Sequence, residues 1–311
     1  MWEHELEEYQ KQLAARGLAR DTVRHRGNMV RHALGFFAAA GESELPEITR
    51  ERVDRYLASL GGEYRTAKGT PISVSHLRAH HLCVKDFFAW LEREGRILRS
   101  PYGLREMPNW RLLARLPAVL TSEEAVRVLE AVSPSTSQGL RDRAMLEMLY
   151  STGMRKGELV ALNVADFSFE RQELVIVTSK SRKGRVVPVG EYARHFTEAY
   201  LKAVRPWLAK SDEEKALFVS SVRLGGRLAV RTVGQIVDRA AKTSGVGKTI
   251  TPHTFRHSMA TQMLRNHADL RHIQAILGHA RITSTELYTH VSLEDLKEVV
   301  RRAHPHGRKA P

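Results

Sequence analysis

The sequence predicts a mainly α-helical protein with one small antiparallel β-hairpin, divided into two domains. Apolar residues recur with helical spacing over most of the 311 residues, and the period changes to that of strands only around residues 174–189. A basic, proline-containing stretch at residues 106–119 has no clear period and is interpreted as a linker. It separates a helical first domain, residues 1–105, from a mixed α+β second domain, residues 120–311.

The composition indicates a packed globular protein with a polyanionic partner. There are 49 Lys and Arg against 35 Asp and Glu, a formal net charge of +14, and 42% of the residues are hydrophobic. A basic surface concentrates phosphate-rich ligands, so nucleic acid is the first candidate and an anionic membrane surface the second. No apolar run is long enough for a membrane span, and the first residues are acidic and polar, unlike a signal peptide. We therefore expect a cytoplasmic protein without a membrane anchor.

Three amphipathic helices are predicted in the first domain. Apolar residues follow helical spacing over residues 20–37, 49–60 and 74–91. The Gly61-Gly62 pair is typical of a helix end followed by a loop. We expect a small, basic, all-helical bundle.

Cys83 is the only cysteine of the chain, which excludes an intrachain disulfide and a cysteine-based zinc site. It lies in the apolar stretch of the third predicted helix. Because free cysteines are among the most buried residue types, we expect a buried thiol without a chemical role.

The second domain opens with a helix start signal. Thr121 and Glu124 have the spacing of a capping box, and the next helix, residues 141–150, is followed by Gly153. The remaining predicted elements are the two strands of the hairpin and five helices, at residues 174–178, 186–189, 191–208, 230–242, 252–266, 269–277 and 283–290.

The most informative segment begins a helix at residues 251–257. Thr251 suits the N-cap and Pro252 the first helical position, so His253 and Arg256 lie on one face of the opening turns. A helix N-terminus already attracts anions, and a histidine and an arginine there predict a phosphate pocket. The plain alternative is a solvated helix start.

Two other chemistries are weakly indicated in this region. His253 and His257 have the spacing of a helical zinc site, but Thr254 stands where a catalytic glutamate is required and Arg256 would repel a cation. Residues 242–249 approach a phosphate-binding P-loop, but the first glycine and the preceding strand are missing. We therefore expect neither a zinc site nor nucleotide hydrolysis.

Arg155 follows the glycine that ends a helix, and Glu158 is placed three residues later to orient its guanidinium. That planar group binds phosphate through two parallel hydrogen bonds, although an arginine after a turn is more often simply solvated.

The predicted hairpin carries a basic tip. Lys180 lies there with Arg182, Lys183 and Arg185, which are expected to contact DNA phosphates unless they form only a solvated turn. The tip is also placed to deliver the Lys180 ammonium to a leaving oxygen.

Two further candidates lie near the C-terminal end. His279 follows Gly278, which has the position of a left-handed helix cap, and Tyr288 lies in the second turn of a short predicted helix. Considered by itself, Tyr288 would usually be interpreted as a packing aromatic.

In this order, the candidate residues make the second domain resemble the tyrosine recombinase, or phage integrase, family, and most closely its Xer-type branch. The matching segments are residues 152–159, the Lys180 hairpin, residues 253–257 and residues 277–279, followed nine positions later by Tyr288. The resemblance runs from about Leu120 to Val291. It implies that the first domain is a SAM-like, core-binding domain and that six residues are catalytic, namely Arg155, Lys180, His253, Arg256, His279 and Tyr288, with Glu158 and His257 in support.

The resemblance also implies a mechanism. Tyr288 attacks a DNA phosphate to give a 3′-phosphotyrosine, the two arginines stabilise the transition state, and Lys180 protonates the departing 5′-oxygen. Neither a metal ion nor ATP is needed. The expected partner is double-stranded DNA with inverted-repeat sites, bound by a homotetramer on two such sites, with or without a partner recombinase. The expected location is the cytoplasm, at the nucleoid.

Two questions stay open from the sequence. Residues 292–302 form an amphipathic helix that packs either on a neighbouring subunit or on its own domain, and the basic residues 301–309 are placed to touch DNA.

The alternative functions are a DNA-binding protein that has the fold without recombination and a type IB topoisomerase. The complete set of six residues disfavours the first, and the separate helical domain disfavours the second.

Overall fold

The structure, a computed structural model, describes residues 2–62, 64, 69–102, 118–177, 184–209, 211, 213–221, 225–278 and 292–305. The chain divides into two compact units, Met1–Leu116 and Pro117–Pro311. Each unit has its own buried hydrophobic cluster. Within the described residues, no helix combines the length and the apolar character needed to cross a membrane.

The first unit is a helical bundle. The described helices are α1 (Glu3–Ala15), α2 (Arg20–Ala39), α3 (Arg50–Gly62) and α4 (Val74–Arg93). The three predicted helices are confirmed, although α3 includes the two glycines at which an end was expected. The burial of Cys83 in α4 is also confirmed.

Helix α1 was not predicted as a separate element. It buries Leu6, Tyr9 and Leu13, which share one helical face. The Tyr9 hydroxyl donates a hydrogen bond to Asp86 of α4 at 2.8 Å, and the ring packs edge-on against Phe87. The helix is thus stabilised by packing along α2 and by these side-chain contacts with α4, neither of which its own short apolar pattern reveals.

The second unit combines helices with a small sheet. Its described elements are α5 (Ser122–Glu130), α6 (Ser137–Thr152), α7 (Lys156–Ala161), β1 (Phe167–Ser168), β2 (Glu173–Val177), β3 (Gly184–Pro188), α8 (Glu191–Ala203), α9 (Arg205–Leu208), α10 (Val230–Thr243), α11 (Pro252–Arg265), α12 (Leu270–Leu277) and α13 (Leu293–Ala303).

The predicted hairpin is confirmed as β2 and β3, and a third antiparallel strand extends it in the order β1-β2-β3. Strand β1 has two residues, too few for a sequence period. The single helix expected over residues 191–208 is instead two helices, because the backbone of Val204 leaves the helical conformation. The capping box at Thr121 is confirmed, and the helix predicted at residues 283–290 lies outside the described residues.

Helix α6 is the central helix of this unit and packs against α8 and α11. Every residue from Arg141 to Thr152 is buried. Its charged side chains are therefore paired internally: Arg141 donates two hydrogen bonds to Asp142, at 2.9 and 2.7 Å, and Arg143 bonds Glu147 at 2.8 Å. This buried helix fixes the position at which the chain emerges toward Arg155.

Helix α13 packs on its own unit, against β3, α11 and α12. Leu296, Val299 and Val300 are buried in the cluster of the second unit. The Asn266 side chain donates to the carbonyl of Ala303 at 2.7 Å, and Lys297 forms a salt bridge with Glu173 of β2 at 2.8 Å. Of the two arrangements left open by the sequence, the structure has the intramolecular one.

We predict that Gly153→Ala lowers the free energy of unfolding by about 2 kcal/mol. Gly153 ends α6 with φ at +58°, and an added Cβ would lie 2.4 Å from Cε of Met259 and 2.8 Å from a methyl of Leu277. Denaturant unfolding of the variant and the wild type measures the effect.

The matched control is Gly157→Ala in α7. A Cβ at Gly157 meets no atom within 4 Å, so only the higher helix propensity of alanine changes the stability. The free energy of unfolding should therefore be unchanged or rise by up to about 1 kcal/mol. Equal stability of the two variants would contradict the proposed constraint at Gly153.

Candidate active site

Arg155 is held at the start of α7 by the glutamate three residues away. After the left-handed Gly153 closes α6, the chain turns, and Arg155 becomes the N-cap of α7. The Arg155 backbone N–H donates to Glu158 Oε2, and its Nη1 donates to Oε1, both at 2.9 Å. The predicted pairing of Arg155 with Glu158 is thus confirmed. The side chain of Arg155 stays 45% exposed, whereas that of Glu158 is 8% exposed.

Arg256 lies one turn into α11 and is buried. The helix begins as predicted, with Thr251 accepting the N–H of Thr254 and Pro252 at its start. Arg256 donates from Nη1 to the carbonyl of Gly153 at 2.6 Å and from Nη2 to the carbonyl of Leu277 at 2.8 Å. These two hydrogen bonds join the start of α11 to the ends of α6 and α12.

The two histidines of this segment differ from Arg256 in environment. His253 and His257 are both exposed on α11, whereas Arg256 is 9% exposed. Both imidazoles are therefore accessible to a ligand approaching the start of the helix. Among the described residues, no three His, Cys, Asp or Glu side chains are placed to hold a metal ion.

A third arginine joins the cluster from strand β3. Arg185 donates to both oxygens of Glu158, at 3.2 and 2.9 Å, and from Nε to the carbonyl of Ile276 at 2.9 Å. Only 12% of its side chain is exposed. The sequence suggested a direct DNA contact for Arg185. That contact stays untested, and the structure gives the guanidinium internal acceptors.

Arg185 and Arg256 each donate one hydrogen bond to a carbonyl of the last residues of α12, those of Ile276 and Leu277. The last carbonyl groups of a helix accept no hydrogen bond from within the helix, and they carry the negative end of the helix dipole. The carbonyls of Ile276 and Leu277 therefore suit cationic donors. Gly278 then closes the helix in the left-handed conformation, φ +65°, so the predicted glycine cap before His279 is confirmed.

The charges in this cluster shift two pKa values. Burial acts to raise the pKa of Glu158, but the hydrogen bonds from Arg185 and from the Arg155 backbone outweigh it and hold the pKa at about 2. Burial, reinforced by the charges of Arg155 and Arg185, lowers the pKa of Arg256 to about 10. Glu158 is thus ionised at neutral pH, and the three arginines repel one another.

The remaining predicted site residues are Lys180, Arg182, Lys183, His279 and Tyr288, all of which lie outside the described residues. The structure brings together Arg155, Glu158, Arg185 and Arg256. Sequence reasoning missed the internal role of Arg185. The sequence did carry a signal. Arg185 is two positions from Val187 and lies opposite the buried Ile176 in the hairpin, so the alternation of side chains along a strand puts Arg185 on the buried face of the sheet.

Comparison with known proteins identifies the family. The phage integrase family model matches residues 118–295. The chain is 36% identical over 301 residues to tyrosine recombinase XerC 2 of Ralstonia nicotianae, covering 96% of this chain and 85% of that protein. It is 33% identical over 294 residues to tyrosine recombinase XerD of Listeria monocytogenes, covering 94% and 95%. The chain belongs to the phage integrase family of tyrosine recombinases.

Solved structures agree with this recombinase fold. The Tn1549 transposon integrase in complex with transposon right-end DNA superposes with a TM-score of 0.69 at 18% identity, covering 96% of this chain and 98% of that one. A lambda integrase dimer bound to a COC′ core site gives a TM-score of 0.68 at 21% identity, with 90% and 95% covered. The mainly helical fold with a small antiparallel sheet is therefore that of the tyrosine recombinases.

We predict that Glu158 makes the stability of this recombinase pH-dependent in acid. Its pKa is lowered from the ordinary 4.5 to about 2, so its contribution is complete above about pH 5 and is lost as the pH falls toward 2. The pKa difference corresponds to about 3 kcal/mol.

Denaturant unfolding of the wild type and of Glu158→Gln from pH 7 to pH 3 tests this prediction. The difference in free energy of unfolding between the two proteins should become smaller as the pH falls. The exposed Glu130→Gln, on α5, is the control and should stay within about 0.5 kcal/mol of wild type throughout. A gap for Glu158→Gln that is constant with pH would contradict the ionised, paired carboxylate.

Proposed function

We propose that this recombinase cleaves and rejoins double-stranded DNA through a 3′-phosphotyrosine on Tyr288, without a metal ion or ATP. One observation carries the proposal: three arginines, Arg155, Arg185 and Arg256, gather around the single carboxylate of Glu158, so these four side chains have a formal charge of +2. Such a cluster is unfavourable by itself and is stabilised by an anion. A DNA phosphate supplies that charge.

The two arginines assigned to catalysis have N–H groups left for a phosphate. In the described contacts, Arg256 uses Nη1 and Nη2 for one carbonyl each, and Arg155 uses only Nη1 for Glu158. The non-bridging oxygens gain negative charge in the pentacoordinate transition state. Hydrogen bonds from preorganised guanidinium groups in a partly buried site stabilise that charge more than they stabilise the ground state.

The bond changes balance without a cofactor. The phenolic oxygen of Tyr288 forms a bond to phosphorus as its proton passes to a histidine of the site or to water, and the bond from phosphorus to the 5′-oxygen breaks. Lys180 donates the proton that this oxygen needs, and His253 and His279 assist proton transfer or hold the phosphate. A 5′-hydroxyl of another strand then attacks the phosphotyrosine and releases Tyr288. His257 supports the site, and Arg182 and Lys183 contact DNA phosphates.

The assembly follows from the same proposal. The related lambda and Tn1549 integrases are seen on DNA, the former also as a tetramer on a Holliday junction. We assign residues 1–105 to core binding, 106–119 to the linker and 120–311 to catalysis on inverted-repeat sites. The active form is a tetramer on two such sites, with a partner recombinase where one exists, at the nucleoid in the cytoplasm.

We predict that wild-type protein forms a denaturation-resistant adduct with nicked duplexes from its flanking DNA in EDTA, and that Tyr288→Phe binds the same DNA without an adduct. Denaturing electrophoresis separates the outcomes. Tyr192→Phe, in α8, is the matched control and should keep the adduct. An adduct that survives in Tyr288→Phe would assign the nucleophile to another residue.

We also predict that Arg155→Ala slows adduct formation by about 10²–10³-fold, because it removes a donor to the transition state. DNA affinity should change by only a few fold. The exposed neighbour Lys156→Ala is the control and should cleave at nearly the wild-type rate. Equal losses of binding and cleavage in Arg155→Ala would overturn the transition-state role.

A further inference from the structure

We infer that Arg185 is a positioning residue: it fixes the Glu158 carboxylate, and through it the Arg155 guanidinium, in the orientation that receives the scissile phosphate. This inference rests on the proposed function of Arg155. It replaces the expectation of a direct DNA contact with a role inside the protein.

Glu158 is the point at which the two arginines meet. Its Oε1 accepts from Nη1 of Arg155 at 2.9 Å and from Nη1 of Arg185 at 3.2 Å. Its Oε2 accepts from the Arg155 backbone N–H and from Nη2 of Arg185, both at 2.9 Å. The forked pair of bonds from Arg185 sets the plane of the carboxylate, and that plane sets the direction of the Arg155 bond.

Arg185 is the more strongly fixed of the two arginines. Its backbone is paired with Ile176 in the sheet, and its Nε is bound to the carbonyl of Ile276. Its stem also packs against Gly278, where an added Cβ would lie 2.8 Å from Cδ of Arg185. The side chain is 12% exposed, against 45% for Arg155. The buried arginine therefore orders the exposed one.

Arg185 and Arg155 also differ in how many of their hydrogen-bond donors are already bound to acceptors in the protein. Among the described residues, all three nitrogens of the Arg185 guanidinium donate to protein acceptors, whereas Arg155 uses one nitrogen of its guanidinium, Nη1. Of the five N–H groups of a guanidinium, Arg185 thus has two left and Arg155 four, and Arg185 is also the more buried side chain, so Arg155 is the better placed donor to a phosphate. Arg155 can bind a phosphate oxygen with the pairing intact.

The test compares cleavage of two substrates. One is an ordinary nicked duplex, and in the other a methyl group replaces one non-bridging oxygen of the scissile phosphate and removes its charge. Arg155→Ala should be about 10²–10³-fold slower than wild type on the charged substrate and much less impaired on the neutral one. If Arg185 acts through Arg155, Arg185→Gln shows the same pattern, about 10–10²-fold slower on the first and within about threefold on the second.

Two further variants separate positioning from charge and from folding. Arg185→Lys keeps the charge but cannot make the fork, so it should show the same dependence on substrate charge. Arg143→Gln breaks a buried pair with Glu147 away from the site, so any loss of activity should be equal on the two substrates. Thermal unfolding shows whether each variant is folded under the assay conditions.

A double variant completes the experiment. Arg185→Gln added to Arg155→Ala should slow cleavage little further, because the residue through which it acts is already gone. Equal losses on both substrates, or multiplying losses in the double variant, would overturn the inference while leaving the proposed function intact. A wild-type protein that forms no Tyr288 adduct on the charged substrate would overturn both.

Discussion

The shared Glu158 carboxylate is the interaction on which the described part of the site depends. Three guanidinium groups are brought close together in a largely buried place, where like charges repel more strongly than in water. Glu158 offsets one of these charges and binds two of the arginines directly. Removing it would leave buried positive charge without a partner, the costly situation for any ion pair inside a protein. The net charge that remains is what suits the cluster to a phosphate.

Helix ends provide the other partners. Helices α6 and α12 both finish at a glycine in the left-handed conformation, Gly153 and Gly278. The carbonyl of Gly153 binds Arg256, as does that of Leu277 just before Gly278. In each case a candidate catalytic residue, Arg155 or His279, comes within two positions of the glycine. Backbone geometry and electrostatics are therefore coupled at Gly153, since the turn whose carbonyl binds Arg256 also leads the chain to Arg155.

Helix α13 lies against β3, the strand that carries one arginine of the candidate site. Its apolar face is covered by its own unit, and a salt bridge joins Lys297 to Glu173 on β2. The same face cannot be buried on a neighbouring subunit at the same time. Any docking between subunits through α13 therefore has to replace contacts that now stabilise the second unit, including those with β3, the strand that carries Arg185.

The sequence by itself determined most of the helices, the hairpin, the caps at Thr121, Thr251, Gly153 and Gly278, and the pairing of Arg155 with Glu158. Each of these depends on residues within a few positions of one another, so spacing and residue type reveal it. Tertiary structure decided the rest. Helix α1 is stabilised by its packing against α2 and α4. The charged side chains of α6 are paired with one another because that helix is buried on all sides, and β1 is defined only by its partner strand. Arg185 and Arg256 find acceptors about 90 and 100 residues away in the chain. No periodicity encodes such contacts, because they arise only when separate helix ends and a strand pack around one carboxylate.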